Sequence, residues 1–576
     1  MKNKLYNIVI SSLAAFLLCS CYDSLDRELR TTLTKEQVEK EYEYTRYQAM
    51  SLYTDLEEGF FALGNAMRAS ACDEAEYTYK GGAETFNSGS WNAFNNPDDV
   101  WTQYFKAIRK VNVYLDPNKK PVNLDAYKND PSENSQAIYK TRTAEIANWS
   151  REARFLRAFY YFELIKRYGG VPIFTEALNL DTDFGTIQRN SLEDCIKFIV
   201  DECDDLSDDE NGLPVTYDED NLGRVTKGAA LALKSRVLLY AASDLWNNQV
   251  WTGGYAHPEL VSLPNGDNPE VRKERWKAAA DAAKAVIDLS GEAGYNLGSN
   301  YASLGKTFED PELIMVRRSW AKNDFERLNF PIGYPNGEGG ITPSQNLVDA
   351  YEMTDGSTFD WNNNRHKSEP YFNRDPRLAM TIYTNEAAFK DTHLECWAGG
   401  KNGKGVANAT TTGYYLHKFI DEDLDLAQGR TSIHTWIFFR ISEMYLNYAE
   451  ALNEYDPGNA DIAIYASKTR GRNGVNMPPF PSTLSQTEMR EKIRNERRVE
   501  LAFEDHRMWD VRRWMTAERD LNEPLYGVEI TPGLISMKYE KIEVEKRVFE
   551  KKMYFYPIPQ TMLSTEGVDW PQNPLW

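Results

Sequence analysis

The feature that most constrains the fold is a helical repeat of apolar residues. Between residues 146 and 168 such residues recur at three- and four-residue steps, so they share one face of a helix. Gly169 and Pro172 then end that helix. The same spacing returns at 229–245 and 441–452. The sequence therefore predicts a chain built mainly from helices.

The sequence also predicts helices at several other places. They are 34–68, 99–115, 191–205, 272–289, 459–471 and 487–504. Small residues at contact positions, such as Ala229 and Ala449, let neighbouring helices approach closely. No clean repeat period is visible, but paired antiparallel helices of the tetratricopeptide type fit this pattern. We predict a mainly α scaffold of tetratricopeptide-like helical pairs.

Long connections rich in Gly, Asn, Pro and aromatic residues separate the predicted helices. These connections are 80–98, 246–270, 317–345, 356–375 and 393–413. Structureless connections of this length are uncommon and tend to be functional. We therefore expect the helices to form the scaffold and the loops to form the working surface.

The first residues resemble a lipoprotein leader. A basic start precedes a mostly apolar run over 5–18, whose 14 residues are too few for a bilayer-spanning helix. A short apolar core that ends in small residues is typical of a signal peptide. The tetrapeptide LCSC at 18–21 resembles the bacterial lipobox, in which the cysteine after the cut receives a diacylglyceryl group. We predict a leader over 1–20 and a lipid anchor at Cys21.

Charge and composition restrict the range of possible functions. The 576 residues include 66 Lys and Arg against 87 Asp and Glu, for a net charge of −21. This balance disfavours nucleic acid, because phosphate binding needs clustered cations. Aromatic residues make up 13% of the chain, with 14 Trp and 34 Tyr. Such a surplus suits a surface that stacks on flat ligands such as sugar rings.

The cysteines of the mature chain show no disulfide framework. Cys195 and Cys203 are eight residues apart on one predicted helix, a separation of about 12 Å. A disulfide needs Cα atoms within about 7 Å. Together with Cys72 and Cys396, these residues are expected to be buried or free thiols.

The motifs that suggest catalysis or metal binding are incomplete. Residues 300–307 end like a phosphate loop, but Asn300 stands where the first Gly is required. Asp421, Asp423 and Asp425 have the opening spacing of a calcium loop, whose essential Gly and Glu are absent. No nucleophile elbow or two-histidine zinc motif occurs. We predict a non-enzyme without cofactor or metal ligands, although two well-placed carboxylates would suffice for a glycosidase.

A series of segments in one order carries a family resemblance. They are WTQYFKAIRKVN (101–112), FLRAFYYFELIKRYGGVPI (155–173), RVTKGAALALKSRVLLYAA (224–242), TPSQNLVDAYEMTDG (342–356), NRDPRL (373–378), TGYYLHKF (412–419), WIFFRISEMYLNYAEALNE (436–454), NERRVELAFEDHRMWDVRRW (495–514), FYPIPQTM (555–562) and QNPLW (572–576). Behind a lipobox, this series resembles the SusD/RagB family, surface lipoproteins that capture nutrients for outer-membrane transporters. One departure is the terminal PLW at 574–576, where the family often has Gly before the last aromatic residue.

The resemblance implies a fold, a location and a function. It implies a SusD-like fold with few short strands, and a helical region over 21–290 packed with a second region over 291–576 as one compact unit. It also implies an outer-membrane lipoprotein, facing the cell exterior, that binds oligosaccharides and delivers them to a SusC-like TonB-dependent transporter. Two alternatives stay open: a RagB-like peptide importer and a surface glycoside hydrolase.

Loop stretches that combine aromatic rings with amides are the candidate sugar sites. Rings stack on the apolar faces of sugars, and amides form hydrogen bonds with hydroxyl groups. The candidates are Trp91, Asn92, Phe94, Trp246, Trp251, Trp320, Tyr334, Trp361 and Trp397. The resemblance favours Trp91 and Trp320, because glycan-binding members carry site aromatics before the 101–112 helix and in the middle of the chain. For every ring, the alternative role is packing in the core.

Overall fold

A computed structural model describes residues 40–179 and 181–576 of the chain. The predicted leader over 1–20 and the predicted anchor at Cys21 lie outside these residues. Within the described residues, no helix combines the length and the apolar composition needed to cross a bilayer.

Helices dominate the described residues, as the apolar repeat predicts. The α-helices are α1 Tyr42–Ser51, α2 Gly81–Asn87, α3 Trp101–Tyr114, α4 Asp125–Lys128, α5 Glu133–Tyr168, α6 Leu192–Leu206, α7 Lys227–Ala242, α8 Pro269–Ala293, α9 Asp324–Asn329, α10 Gln345–Ala350, α11 Asn364–Ser368, α12 Arg377–Thr381, α13 Ile441–Tyr455, α14 Ala460–Ala466, α15 Gln486–Glu500, α16 Arg507–Arg513, α17 Ala517–Asp520 and α18 Gln560–Leu563. The mainly α fold class is confirmed.

The strands are short and occur in separate antiparallel pairs. They are β1 Ala75–Tyr77, β2 Leu313–Arg318, β3 Ile341–Pro343, β4 Ile382–Tyr383, β5 Ala388–Phe389, β6 Thr392–His393, β7 Tyr415–Leu416, β8 Thr435–Arg440, β9 Leu525–Pro532 and β10 Met537–Glu545. The pairs are β1 with β3, β2 with β8, β4 with β7, β5 with β6, and β9 with β10. Each pair fastens two distant loops or forms a hairpin.

The helical core is a run of neighbouring helices. α6 packs on α7, α7 on α8, and α8 on α13, which also contacts α14 and α15. Alanines line these contacts: Ala242, Ala279 and Ala451 lie in one buried cluster, and Ala449 and Ala466 lie in another. The small side chains let the helices approach closely, as the sequence predicts.

The long helix α5 ends where the sequence predicts. Gly169 follows its last residue with a φ of 71°, a left-handed conformation that favours glycine. A Cβ atom at Gly169 would lie 2.3 Å from the carbonyl oxygen of Leu260. Glycine is therefore needed both to turn the chain and to let a second segment pass.

Several predicted element assignments are wrong. The helix predicted over 34–68 ends at Ser51 within the described residues and gives way to short 3-10 turns. There, a Cβ atom at Gly59 would lie 2.1 Å from the Trp436 ring, so strand β8 occupies the space beside the backbone. The predicted loops also contain regular elements: α2 lies within 80–98, α9 and β3 lie within 317–345, and α11 lies within 356–375.

A buried network of ion pairs fixes α15. Glu500 accepts hydrogen bonds from Arg440 Nη1 at 2.7 Å and Arg377 Nη1 at 2.8 Å, and it also pairs with Arg472. Burial alone would raise the pKa of Glu500, but the three guanidinium groups outweigh it and lower the pKa to about 2. In the sequence, Glu496 and Glu500 alternate with Arg494, Arg497 and Arg498, a spacing that predicts a partly buried ion-pair network. The partners of Glu500 come instead from distant segments, and the pairs are fully buried.

The described chain forms two compact units. The first comprises the residues up to Ser51 together with Leu115–Trp149, and the second comprises Leu52–Tyr114 with Ser150–Trp576. In the first unit, the rings of Tyr42 and Trp149 pack with their centroids 5.1 Å apart. The division predicted at residue 290 stays a prediction. The four cysteines within the described residues, Cys72, Cys195, Cys203 and Cys396, are free and buried, as expected.

Candidate ligand-binding face

Two loop segments beyond the β2–β8 pair lie side by side. Lys322 and Ser432 exchange backbone hydrogen bonds of 2.9 and 2.8 Å. The side-chain amide of Asn323 donates to Arg430 O at 3.2 Å, and the side-chain amide of Asn336 donates to Leu426 O at 3.1 Å. Residues 319–340 and 421–434 therefore form one continuous surface, which we call the loop face.

Trp320 is the most exposed ring of the loop face. Its side chain is 86% exposed, while the neighbouring Ser319 is held by its backbone N–H, which donates to His434 O at 2.8 Å. The backbone that carries the indole is therefore fixed by a strand-like contact. A large apolar ring on a fixed backbone suits stacking against a flat ligand.

Tyr334 is the second predicted ring on the loop face, and its neighbours fix it. Its ring packs edge-on against Phe389 with centroids 4.6 Å apart, and its hydroxyl lies 2.5 Å from Thr392 Oγ1. The ammonium of Lys401 lies 5.2 Å from the ring centroid. The ring stays half-buried. It is held in place before any ligand arrives.

Beside Tyr334 the loop face contains a cleft of about 470 Å³. Its walls come from three segments of the chain. The lining residues are Phe330, Pro335, Ala388, Lys390, Asp391, Glu422, Asp423, Asp425, Leu426 and Ala427. The cleft thus combines an aromatic ring and apolar carbons with several carboxylates, which are hydrogen-bond acceptors for hydroxyl groups.

Glycine allows the neighbouring 395–405 loop to approach the loop face. Gly333 has a φ of 90°, and a Cβ atom there would lie 2.9 Å from the Lys401 carbonyl oxygen. The amide of Asn402 donates to Ile332 O across the same contact. The half-buried Trp397 belongs to this adjoining loop. Sequence reasoning named Trp397 but could not show that its loop meets Tyr334.

The electrostatics of the loop face are acidic. Burial, followed by the nearby Glu326 and Asp423 carboxylates, raises the pKa of Asp421. Burial also lowers the pKa of Lys306, even though several carboxylates face it. Glu422 accepts a hydrogen bond from Tyr383 OH at 2.7 Å. The segment rejected as a calcium loop therefore supplies part of the cleft wall.

Trp91 is buried, which corrects the expectation of an exposed platform. Its side chain is 2% exposed and packs on three rings, with centroids 4.9 Å from Phe86, 5.1 Å from Tyr556 and 4.8 Å from Trp576. The C-terminal aromatic residues cover the indole that the sequence placed in a loop. Trp91 cannot stack on a sugar in this arrangement.

Trp246 and Trp251 require the same correction. They are 1% and 5% exposed, because each packs on a neighbouring ring. The Trp246 ring lies edge-on to Tyr240 at 5.7 Å, and the Trp251 ring stacks on Phe555 at 5.9 Å. Both stabilise short 3-10 turns in the long connection after α7. The large apolar rings of both residues are therefore buried in the core.

Asn92 and Phe94 lie at the tip of the turn that follows Trp91. The Asn92 side-chain oxygen accepts the backbone N–H of Phe94 at 2.9 Å, and Asn92 also pairs with Asn95 through two backbone hydrogen bonds. Phe94 is 83% exposed. The turn therefore directs Phe94 to solvent while Trp91 points inward, but no described contact joins it to the loop face.

Trp361 has a structural partner. Its indole N–H donates to Asp349 Oδ1 at 3.0 Å, and its ring packs edge-on against Phe359 at 5.3 Å. The side chain is half-buried. No contact in the described part of the chain joins it to Trp320 or Tyr334.

Sequence reasoning missed Tyr79 and the free carboxylates of the cleft. Tyr79 is 39% exposed, and its hydroxyl donates to Glu338 O of the loop face at 2.7 Å. It lies one residue before the predicted loop at 80–98, so an aromatic residue beside a Gly-Gly turn was the available signal. Asp423 was noted only as part of the incomplete calcium loop at 421–425, and Asp391 carried no signal, because isolated acidic residues are common in this chain.

The fold and the loop face define a class of protein: a scaffold of helical pairs that carries a candidate binding face on loops and short strand pairs. A model described as the SusD family matches residues 309–576. A second, described as starch-binding and associating with the outer membrane, matches residues 23–239. The chain belongs to the SusD/RagB family.

Individual relatives agree with this assignment. SusD-like protein P25 of Formosa agariphila is 23% identical over 440 residues, which cover 72% of this chain and 70% of that protein. The crystal structure of a SusD-like protein from Bacteroides fragilis has a TM-score of 0.75 at 24% identity, covering 94% of this chain and 99% of that one. A SusD-like carbohydrate binding protein from the same species has a TM-score of 0.70 at 23% identity, with coverages of 91% and 98%. At these identities the structural likeness establishes the fold.

Proposed function

We propose that this protein binds oligosaccharides at the cell surface and delivers them, without cleaving them, to a SusC-like TonB-dependent transporter. The observation that carries the proposal is the loop face. It presents the 86%-exposed Trp320 and the fixed, half-buried Tyr334 on one surface, beside a cleft lined with carboxylates. The description of the family model that matches residues 23–239, which refers to starch binding and the outer membrane, supports the same class of cargo and the same location.

The chemistry of the loop face suits a sugar. An exposed indole covers the apolar face of a pyranose ring, and carboxylates in the adjoining cleft accept hydrogen bonds from hydroxyl groups. Asp423 and Asp391 are exposed and line the same cleft. Because Tyr334 is fixed by Thr392 and Phe389, little side-chain freedom is lost on binding.

The anchor and the transporter complete the proposed function. Cys21 carries the lipid in this proposal, and the family description of outer-membrane association supports that location. Capture at the cell exterior requires a pore into which the cargo passes. The family resemblance supplies the SusC-like transporter as that pore.

One observation favours a glycoside hydrolase as the second candidate. The pKa of Asp421 is raised by burial and by neighbouring carboxylates, as the pKa of a general acid would be. However, Asp421 lies behind the cleft and its residue does not line it. We therefore place binding without cleavage first.

A panel experiment separates the three functions. The purified full-length protein is titrated with neutral oligosaccharides and with oligopeptides, and each sugar is then incubated with the protein and assayed for new reducing ends. Binding of oligosaccharides without release of reducing ends supports the proposal. Release of reducing ends identifies a hydrolase, and preference for oligopeptides identifies a peptide importer.

A further inference from the structure

The cleft beside Tyr334 carries an excess of negative charge. The carboxylates in its lining are Asp391, Glu422, Asp423 and Asp425. The single ammonium group in the lining, Lys390, donates from Nζ to Leu424 O at 2.8 Å and offsets only one of these four negative charges. A ligand that enters this cleft meets acceptors and negative charge on most sides.

Two of these carboxylates are free to meet a ligand. Asp391 and Asp423 are exposed, and no hydrogen bond joins either carboxylate to another described residue. Glu422, in contrast, accepts from the Tyr383 hydroxyl at 2.7 Å, and Asp425 accepts backbone N–H groups of the following turn. Asp391 and Asp423 are therefore the groups that a cargo would contact.

The surrounding cations do not cancel this charge. The Lys401 ammonium lies over the Tyr334 ring and donates to Thr392 Oγ1 at 3.2 Å. Lys306 does not line the cleft, and this one ammonium is outnumbered by the nearby carboxylates of Glu422, Asp421 and Glu326. The local field thus has the same sign as the net charge of the chain.

We propose that this cleft is a charge filter: the cargo is an oligosaccharide without acidic groups, and amino-bearing sugars bind at least as well as neutral ones. The inference rests on the proposed function of the loop face. A sulfate or uronate group in the cleft would face like charges, which is costly and excludes the wrong partner. A protonated amine would instead form charge-assisted hydrogen bonds with Asp391 or Asp423.

The first test is a glycan array probed with the full-length protein. The array carries neutral oligosaccharides, chitosan oligosaccharides, and acidic ones such as oligogalacturonate. The best neutral binder is then titrated beside its C6-oxidised uronate form, which has the same backbone. We expect the uronate to bind at least tenfold more weakly at low salt, with the gap narrowing as salt screens the charges.

The binding data distinguish a failure of the charge filter from a failure of the proposed function. A uronate that binds as tightly as its neutral parent overturns the charge filter and leaves the glycan-binding function standing. If no oligosaccharide of any class binds, the proposed function itself fails, and the filter is rejected with it.

A double variant, D391N with D423N, tests whether these two side chains cause the discrimination against acidic sugars. Both positions are exposed and the substitution preserves shape, so the fold is retained. We expect the neutral-to-uronate affinity ratio to fall at least threefold. D201N is the control for a charge lost outside the cleft, because it removes one carboxylate from an exposed pair with Lys197 on α6. An unchanged ratio in the double variant, or an equal fall in D201N, would overturn the proposal.

Discussion

Trp91 and Trp320 each follow a serine in a polar loop, yet one indole is 2% exposed and the other 86%. The difference arises from partners that are remote in sequence. Tyr556 and Trp576 lie more than 450 residues after Trp91 and close over its ring. Trp320 follows a strand edge and meets no such cover. Local composition identifies both rings but cannot distinguish a platform from a core residue.

This contrast supplies a matched pair of variants. Trp320→Ala should weaken oligosaccharide binding about thirtyfold, because truncating a stacking ring costs roughly 1–3 kcal/mol and 1.4 kcal/mol is about tenfold. Its melting temperature should not change. Trp91→Ala should destabilise the fold by about 3–5 kcal/mol, while the folded fraction keeps its affinity. Calorimetric titration and thermal unfolding of both variants measure the two effects. Lost affinity in Trp91→Ala together with lost stability in Trp320→Ala would identify Trp91, not Trp320, as the stacking ring.

At the scale of the element, α15 depends on buried charge. Glu500→Ala should destabilise the protein by about 3–5 kcal/mol, because it leaves Arg377, Arg440 and Arg472 without a shared buried partner. The control is Asp201→Ala, which breaks an exposed pair with Lys197 and should change stability by less than about 1 kcal/mol. Urea unfolding measures both. Equal costs for the two variants would contradict a special role for the buried network.

The segment before β1 predicts a dependence of stability on pH. Burial, followed by the charge of Asp73, raises the pKa of Glu74 to about 8. A carboxyl group with a raised pKa stabilises the fold fully below its unfolded pKa, near 4.5, and loses that contribution as the pH rises through 8. Glu74→Gln should therefore raise the melting temperature at pH 9 and leave it nearly unchanged at pH 5. An equal effect at both pH values would show that Glu74 does not titrate in this range.

The helices could be predicted because their signal is local. The apolar repeat over 146–168 and the glycine after it are contained in about six turns of sequence, and the structure contains both the helix and its glycine end. The strand pairs could not be predicted, since β1 joins β3 and β2 joins β8 across long separations. The ion partners of Glu500 were missed for the same reason. Interactions between remote segments produce no periodic pattern in the sequence.

At the scale of the whole molecule, the series of family motifs in one order predicted the fold. The candidate site, in contrast, could be recognised only in the folded structure. The loop face exists because residues 319–340 and 421–434 lie side by side, an arrangement that neither segment encodes alone. Of the two favoured rings, only Trp320 lies on it. The free carboxylates Asp391 and Asp423 became visible only as parts of a cleft.

The predicted lipid anchor at Cys21 can be tested in cells. Cys21→Ala should release the protein from the membrane fraction or leave its leader uncleaved, because Cys21 is the proposed lipid acceptor. Cys19→Ala should have no effect, because Cys19 would be removed with the leader. Fractionation of cells and the mass of the mature protein measure both outcomes. Membrane retention of a processed Cys21→Ala protein would contradict the anchor.

Binding of an oligosaccharide at the loop face can be tested by hydrogen–deuterium exchange of the full-length protein with and without a saturating oligosaccharide from the glycan array. A bound sugar should slow exchange of backbone amides in the segments that it contacts. We expect protection to be concentrated in residues 319–340 and 421–434, with the 388–393 hairpin beside them. Protection centred on other loops, with the loop face unchanged, would contradict it.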